Sequence, residues 1–414
     1  MLPSRRLTAH CKRSSRRRIL PVCLSVLATV LAGRIALSLD NGLARTPPMG
    51  WNSWNAFETN VDEKLIKETA DAIVTTGMKD AGYTYVGVDA GWKAKRRAMD
   101  GNLMADPARF PSGMKSLADY IHEKGLKFGL YTDAGTEDCV SGAPGSRGFE
   151  EKDAAQFAVW GVDFIKEDWC HSEGLNAKQA YTKMSKAILA TGRPMIFSLC
   201  EWGDNQPWLW APDVGHMWRT TGDNKDCWDC GRDTASKPGG YPRGWTLILD
   251  AQPALHSYSG PGHWNDPDML EVGNGGMTTS ESKAHFSLWA LLAAPLIAGN
   301  DVRTMSAHTK EILLNREVIA IDQDPLGQQG RQIWKKDNLE VWSRPVSDGS
   351  RAVVLFNRSK NVAQIAVTWE QIGYPGHLKA KVRDLWQHKD VGYFSNSYSA
   401  KVDSHGVVMV KVTP

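Results

Sequence analysis

Between about residue 46 and residue 305, short apolar runs alternate with longer stretches whose apolar residues recur every three to four positions. The short runs occupy 49–51, 83–89, 127–131, 163–168, 195–199, 216–219, 264–268 and 296–300 and read as strands. The longer stretches, at 63–80, 113–124, 149–160, 177–191 and 280–294, carry the one-sided pattern of surface helices. Parallel strands need a crossover, usually a helix, so eight strand-then-helix units predict a (β/α)8 TIM barrel. After Asp324-Pro325-Leu326-Gly327 the period falls to two, as at Leu339-Glu340-Val341-Trp342, with turn signals such as Asp348-Gly349 between runs. That pattern predicts a small antiparallel β domain. The expected layout is a (β/α)8 barrel over 39–328 and a C-terminal antiparallel β-sandwich over 329–414.

Residues 1–38 follow another pattern. Basic residues run from Arg5 to Arg18, an apolar stretch covers 19–32, and Ala36-Leu37-Ser38 offers a small-x-small cleavage site. This is the layout of an export signal, and it predicts a secreted or periplasmic protein. Ser15-Arg16-Arg17-Arg18-Ile19-Leu20 fits a twin-arginine signal, and a general secretory signal with a long basic start fits equally. The apolar run is too short for a spanning helix, so no membrane association is expected after cleavage.

Composition narrows the picture a little further. Of 414 residues, 42% are hydrophobic and 23% charged, as in ordinary globular domains. The formal net charge of +3 owes much to the residues before position 20, so no nucleic-acid partner is implied. The 17 tryptophans exceed ordinary use. Packing accounts for most of them, and stacking on the apolar face of a sugar ring is the functional reading. Cys11 and Cys23 lie in the export segment, which leaves Cys139, Cys170, Cys200, Cys227 and Cys230. Export permits disulfides, and an odd count leaves one thiol over.

The expected strands end in polar or aromatic residues: Trp51, Asp89, Tyr131-Thr132-Asp133, Lys166-Glu167-Asp168, Cys200-Glu201-Trp202, Arg219 and Asp266. In a TIM barrel that end carries the active site. Glycoside hydrolysis usually needs two carboxyl groups flanking the glycosidic bond, one ionised and one holding a proton. Asp168 is the candidate for the first. By strand alternation Lys166 projects to the same side, and a nearby cation favours the carboxylate. The competing reading is a buried structural ion pair. Asp223, on the loop after the sixth strand, suits the proton donor, and an Asx turn or helix cap competes there.

Several long motifs then resemble glycoside hydrolase family 27, the α-galactosidase family. They are Arg45-Thr46-Pro47-Pro48-Met49-Gly50-Trp51-Asn52-Ser53-Trp54-Asn55, Gly129-Leu130-Tyr131-Thr132-Asp133-Ala134-Gly135, Ser198-Leu199-Cys200-Glu201-Trp202-Gly203, Gly260-Pro261-Gly262-His263-Trp264-Asn265-Asp266-Pro267-Asp268-Met269 and Asp322-Gln323-Asp324-Pro325-Leu326-Gly327. The resemblance covers nearly the whole chain after the export segment. It implies a retaining exo-α-galactosidase acting on terminal α-D-galactosyl groups by double displacement. Asp168 then matches the nucleophile and Asp223 the acid/base. Trp51, Asp89, Tyr131, Lys166, Glu201 and Arg219 match positions lining the sugar pocket. Glu201 matches a position near the 2-hydroxyl, where a carboxylate would clash with an acetamido group. Cys139 and Cys170 match a family disulfide. No metal and no organic cofactor are implied.

The chain departs from the family in two places. Asp89-Ala90-Gly91-Trp92 keeps the first of two adjacent acids that hold the 4- and 6-hydroxyls of galactose and has alanine in place of the second. That keeps related specificities open: isomalto-dextranase, β-L-arabinopyranosidase or, in another class, a non-catalytic carbohydrate-binding barrel. Glu167 is a substitute for the missing acid only if its alternation is broken. Thr59 and Gly91 stand where the family has a disulfide, so both partners are absent. Cys227-Trp228-Asp229-Cys230 reads as a tight local disulfide stiffening the acid/base loop. A zinc site there would need two more ligands, with Cys200 the one spare thiol.

Overall fold

A computed structural model describes residue 39, residues 41–231 and residues 243–414. The export-signal expectation for 1–38 lies outside the described residues.

Eight parallel strands form the first layer: β1 (Met49–Asn52), β2 (Tyr85–Val88), β3 (Lys127–Asp133), β4 (Phe164–Asp168), β5 (Ile196–Cys200), β6 (Met217–Arg219), β7 (Trp264–Asp266) and β8 (Leu296–Ala298). Their order in the sheet is β8-β1-β2-β3-β4-β5-β6-β7. The seam between β7 and β8 is bridged by Leu270, which pairs with Ala298 in parallel and donates its N–H to the Ile297 carbonyl at 2.8 Å. The fold is the expected TIM barrel, and each strand lies within two residues of the apolar run that announced it.

The helices show why local sequence folds as it does. Helix Glu63–Thr75 starts on Asp62, whose side chain accepts the Leu65 N–H at 2.7 Å. Leu65, Ile66, Ala70 and Ile73 then turn one apolar face onto the barrel. The continuous helix expected over 63–80 does not form. Gly77 adopts φ +87°, a left-handed stop, and a separate turn, Met78–Ala81, follows it. Helix Thr279–Leu291 begins with a reciprocal capping box between Thr278 and Glu281.

Beyond residue 330 the strands Arg331–Lys336, Leu339–Pro345, Arg351–Asn357, Lys379–Asp384, Lys389–Ser395 and Gly406–Thr413 form one antiparallel sheet. Ala363–Thr368 and Ser397–Val402 pair as a second sheet. Alternation sorts the side chains of the larger sheet into two cores. Trp342, Val354, Phe356 and Met409 join the core of the barrel, whereas Val341, Val353, Leu355, Val410 and Val412 pack with Ile365, Val367 and Trp369 of the smaller sheet. Eight tryptophans are among the most deeply buried side chains, so packing does account for many of them.

Candidate active site

The C-terminal ends of the barrel strands open into a cavity of about 670 Å³. Asp89, Tyr131, Lys166, Asp168, Arg219 and Asp223 line it together with Ala90, Trp54 and Trp202. Trp51 lies beneath, in the floor shared by Tyr131, Lys166, Cys200 and Arg219. Its ring is 1% exposed and its Nε1–H donates to the Asn300 carbonyl at 2.8 Å.

Two strands supply the first charge pair. Asp89, just past β2, is ion-paired with Lys166 of β4 at 2.9 Å, and Asn52 donates to the same carboxylate oxygen at 2.8 Å. The Ser53 hydroxyl accepts the Asp89 N–H at 3.0 Å, which fixes the backbone there. Lys166 favours the Asp168 carboxylate, as its alternation implies, but its direct ion pair is with Asp89. Residues two apart on a strand are spaced by about 6.6 Å, so the nearer partner comes from another strand. Burial works against the Lys166 charge, but Asp89, with Asp168 contributing, holds its pKa well above the ordinary lysine range.

Asp168 ends β4 and is 7% exposed. Burial pushes its pKa up to about 6; Lys166 opposes that rise, whereas Asp223 and Asp89 add to it. The neighbouring Cys200 thiol also favours its ionised form. Cys200 is the free cysteine of the described residues, as expected, and is buried. Asp133, level with Asp168 on the neighbouring strand, is pushed up to about 8, by burial first and by Asp168 second.

Arg219 organises the opposite wall. Its guanidinium spans Asp223 at 3.0 Å and Asp268 at 3.1 Å. It also donates to the Thr221 carbonyl at 3.1 Å and the Cys200 sulfur at 3.6 Å. Asp268 in turn accepts the Asn224 N–H at 2.7 Å and so ties the loop carrying Asp223 to the end of β7. Its position two residues beyond Asp266 was the available signal for it.

Of the residues expected in the sugar pocket, Glu201 is the one that lines neither the cavity nor its floor. It is fully buried, and its carboxylate accepts the Gly203 N–H at 3.1 Å and the Asn205 N–H at 2.7 Å. It closes the turn that presents Trp202, a bulky residue at φ +60°, to the cavity. Glu271 escaped the sequence reading altogether. It lines the cavity, takes Asn55 at 2.7 Å, and burial raises its pKa to about 8. Glu167 faces away from Asp168, as alternation implies, and burial raises its pKa well above the ordinary range.

Cys139 is bonded to Cys170, and Cys227 to Cys230. The second bond leaves neither of its two sulfurs as a thiolate for the competing zinc reading. Among the described residues, the group of ligand-type side chains close enough to share an ion, Asp133 with Cys139 and Cys170, likewise has its sulfurs joined to each other. Thr59 and Gly91 occupy the place of the absent disulfide. A Cβ on Gly91 would come within 2.7 Å of the Thr59 carbonyl oxygen, so only glycine permits this approach. Arg109 donates through Nη1 to the carbonyls of both Thr59 and Gly91. A guanidinium clamp thus joins the two loops. No helix of the described residues is long and apolar enough to cross a membrane.

Residues 46–324 match the family model described as alpha galactosidase A, and residues 336–412 match the alpha galactosidase C-terminal beta sandwich domain. The chain is 48% identical to an alpha-galactosidase of Cyamopsis tetragonoloba, over 91% of this chain and 88% of the relative. It is 49% identical to alpha-galactosidase A of Cellvibrio japonicus, over 90% and 93%. The crystal structure of alpha-galactosidase I from Mortierella vinacea superposes with a TM-score of 0.88 at 39% identity, covering 90% of this chain and 98% of that one.

Proposed function

The chain belongs to glycoside hydrolase family 27, the α-galactosidase family, and from that membership we propose an exo-acting enzyme that releases terminal α-D-galactosyl groups with retention. The observation that carries the reading is that Asp168 and Asp223 line one cavity at the strand C-termini, each within an organised charge network. Asp168, ionised above about pH 6, attacks the anomeric carbon. Asp223 gives its proton to the departing glycosidic oxygen. The resulting galactosyl ester of Asp168 is hydrolysed by a water that Asp223 deprotonates, which restores both groups. The developing positive charge at the anomeric carbon is stabilised by the Asp168 carboxylate.

Asp89, Lys166, Tyr131 and Arg219 are then the hydroxyl-binding groups, with Trp51 supporting the floor. A cavity closed below by side chains favours a chain end over the middle of a polymer. Residues 1–38 direct the protein out of the cytoplasm and are removed.

Initial rates on p-nitrophenyl α-D-galactopyranoside, α-D-glucopyranoside and β-L-arabinopyranoside test the specificity. Absence of galactoside turnover would sink the reading, and preference for either of the others would establish a related specificity. Proton NMR of the first-formed sugar tests the stereochemistry. Release of α-galactose is expected, and β-galactose as the first product would exclude double displacement.

A further inference from the structure

Seven carboxylates line the cavity. Six carry a hydrogen bond or ion pair, among them Asp89 to Lys166, Asp223 to Arg219 and Glu271 to Asn55. Glu58 alone has neither among the described residues. A carboxylate beside a sugar pocket with all its acceptor positions free is matched to hydroxyl donors of the ligand.

Its placement is held by the backbone. Glu58 follows the short helix Trp54–Phe57 at φ +49° and ψ −126°, a left-handed conformation that favours glycine. Its N–H is anchored on the Trp54 carbonyl at 2.7 Å. The next residue, Thr59, packs directly on Gly91 under the Arg109 clamp. The Glu58 turn therefore lies against the Ala90–Gly91 step, where the cavity wall offers a methyl group. Backbone strain retained at a ligand-facing position is characteristic of functional sites.

We infer that Glu58 is a specificity-determining residue: the carboxylate that accepts the hydroxyl of the sugar's exocyclic hydroxymethyl group on the Ala90 side of the pocket. Asp168 and Asp223 fix the anomeric carbon, and the buried Asp89, ion-paired with Lys166, lines the same cavity as the exposed Glu58. The hydroxymethyl group projects furthest from the ring and is the substituent an exposed carboxylate at the mouth reaches. The inference rests on the galactosidase reading and adds a named acceptor for one hydroxyl.

The test compares Glu58→Ala and Glu58→Gln with the parent on p-nitrophenyl α-D-galactopyranoside and on β-L-arabinopyranoside. The second sugar has the same ring hydroxyl arrangement but no hydroxymethyl group. Loss of a hydrogen bond to a charged acceptor lowers kcat/KM on the galactoside roughly tenfold to a hundredfold in Glu58→Ala. The arabinopyranoside value stays within about twofold, and it reports that the variant is folded. Glu58→Gln, which keeps one acceptor without the charge, falls between. Equal losses on both substrates, or no loss on the galactoside, overturn the inference while a galactoside-active parent leaves the functional reading intact. A parent inactive on the galactoside overturns that reading and this inference with it.

Discussion

Replacing Asp168 by asparagine tests catalysis and electrostatics together. The carboxyl is pushed from an ordinary 3.8 up to about 6 by burial, against the opposing pull of Lys166. A carboxyl whose folded pKa is raised lowers stability wherever it must be ionised in the fold. The cost is absent below about pH 4, where folded and unfolded chains both hold the proton. It grows as pH rises and is complete above about pH 6. At about 1.4 kcal/mol per factor of ten in the ionisation equilibrium, it reaches on the order of 3 kcal/mol at pH 7.5. Asparagine mimics the neutral form in shape and removes that cost. Asp168→Asn should therefore melt higher than the parent at pH 7.5, by on the order of 4 °C for a folded unit of this length. The difference should shrink towards zero near pH 4, and activity should fall by roughly a thousandfold or more. Paired scanning calorimetry at pH 4, 5.5 and 7.5 reads the stability. A variant no more stable than the parent at pH 7.5, or a gain that does not vary with pH, would refute the account of this group as a buried charge held at a cost.

Three other outcomes follow from the same structure. The acidic limb of kcat/KM should turn near pH 6 and fall tenfold per pH unit below it, because free Asp168 must be ionised to attack; a limb near pH 4 would contradict the raised carboxyl. Arg219→Leu leaves Asp223 and Asp268 without their shared cation, and urea titration should show a loss of about 3–5 kcal/mol; a loss under about 1 kcal/mol would mean that the buried pairing contributes little. Removing the Cys139–Cys170 bond as the double serine variant frees a 31-residue separation that spans β4, with an expected cost of about 3–4 kcal/mol in urea; an unchanged midpoint would show that the unfolded loop is already constrained.

Most of the architecture was legible because its signals are local. Each barrel strand is an apolar run, and helices such as Glu63–Thr75 carry a one-sided repeat, whereas Thr279–Leu291, expected as a one-sided surface helix, is buried on nearly every face. Where local chemistry was overlooked, boundaries shifted, as at Gly77, whose left-handed φ splits one expected helix into two. The catalytic candidates were legible because barrel topology puts strand ends on one rim, and Asp168 and Asp223 do line one cavity. Their partners were not. Alternation placed Lys166 and Asp168 on one side, but it could not show that Asp89 lies nearer the ammonium. Glu201 shares the strand-end position of true cavity residues, yet the turn it closes draws its carboxylate away.

Sequence by itself determined the barrel, the β domain and the carboxylates available at the rim, because period, turn chemistry and residue type are written along the chain, while the Cys139–Cys170 pairing came through its resemblance to the family. Tertiary structure decided which charge meets which: Lys166 with Asp89, Arg219 between Asp223 and Asp268, and Arg109 across Thr59 and Gly91. Those contacts join residues that are mostly far apart in the chain and from different strand ends. Only closure of the barrel brings them within a few ångströms, and only burial then sets the pKa of each group. For the same reason the free carboxylate of Glu58 beside Ala90 becomes visible only once the cavity has walls.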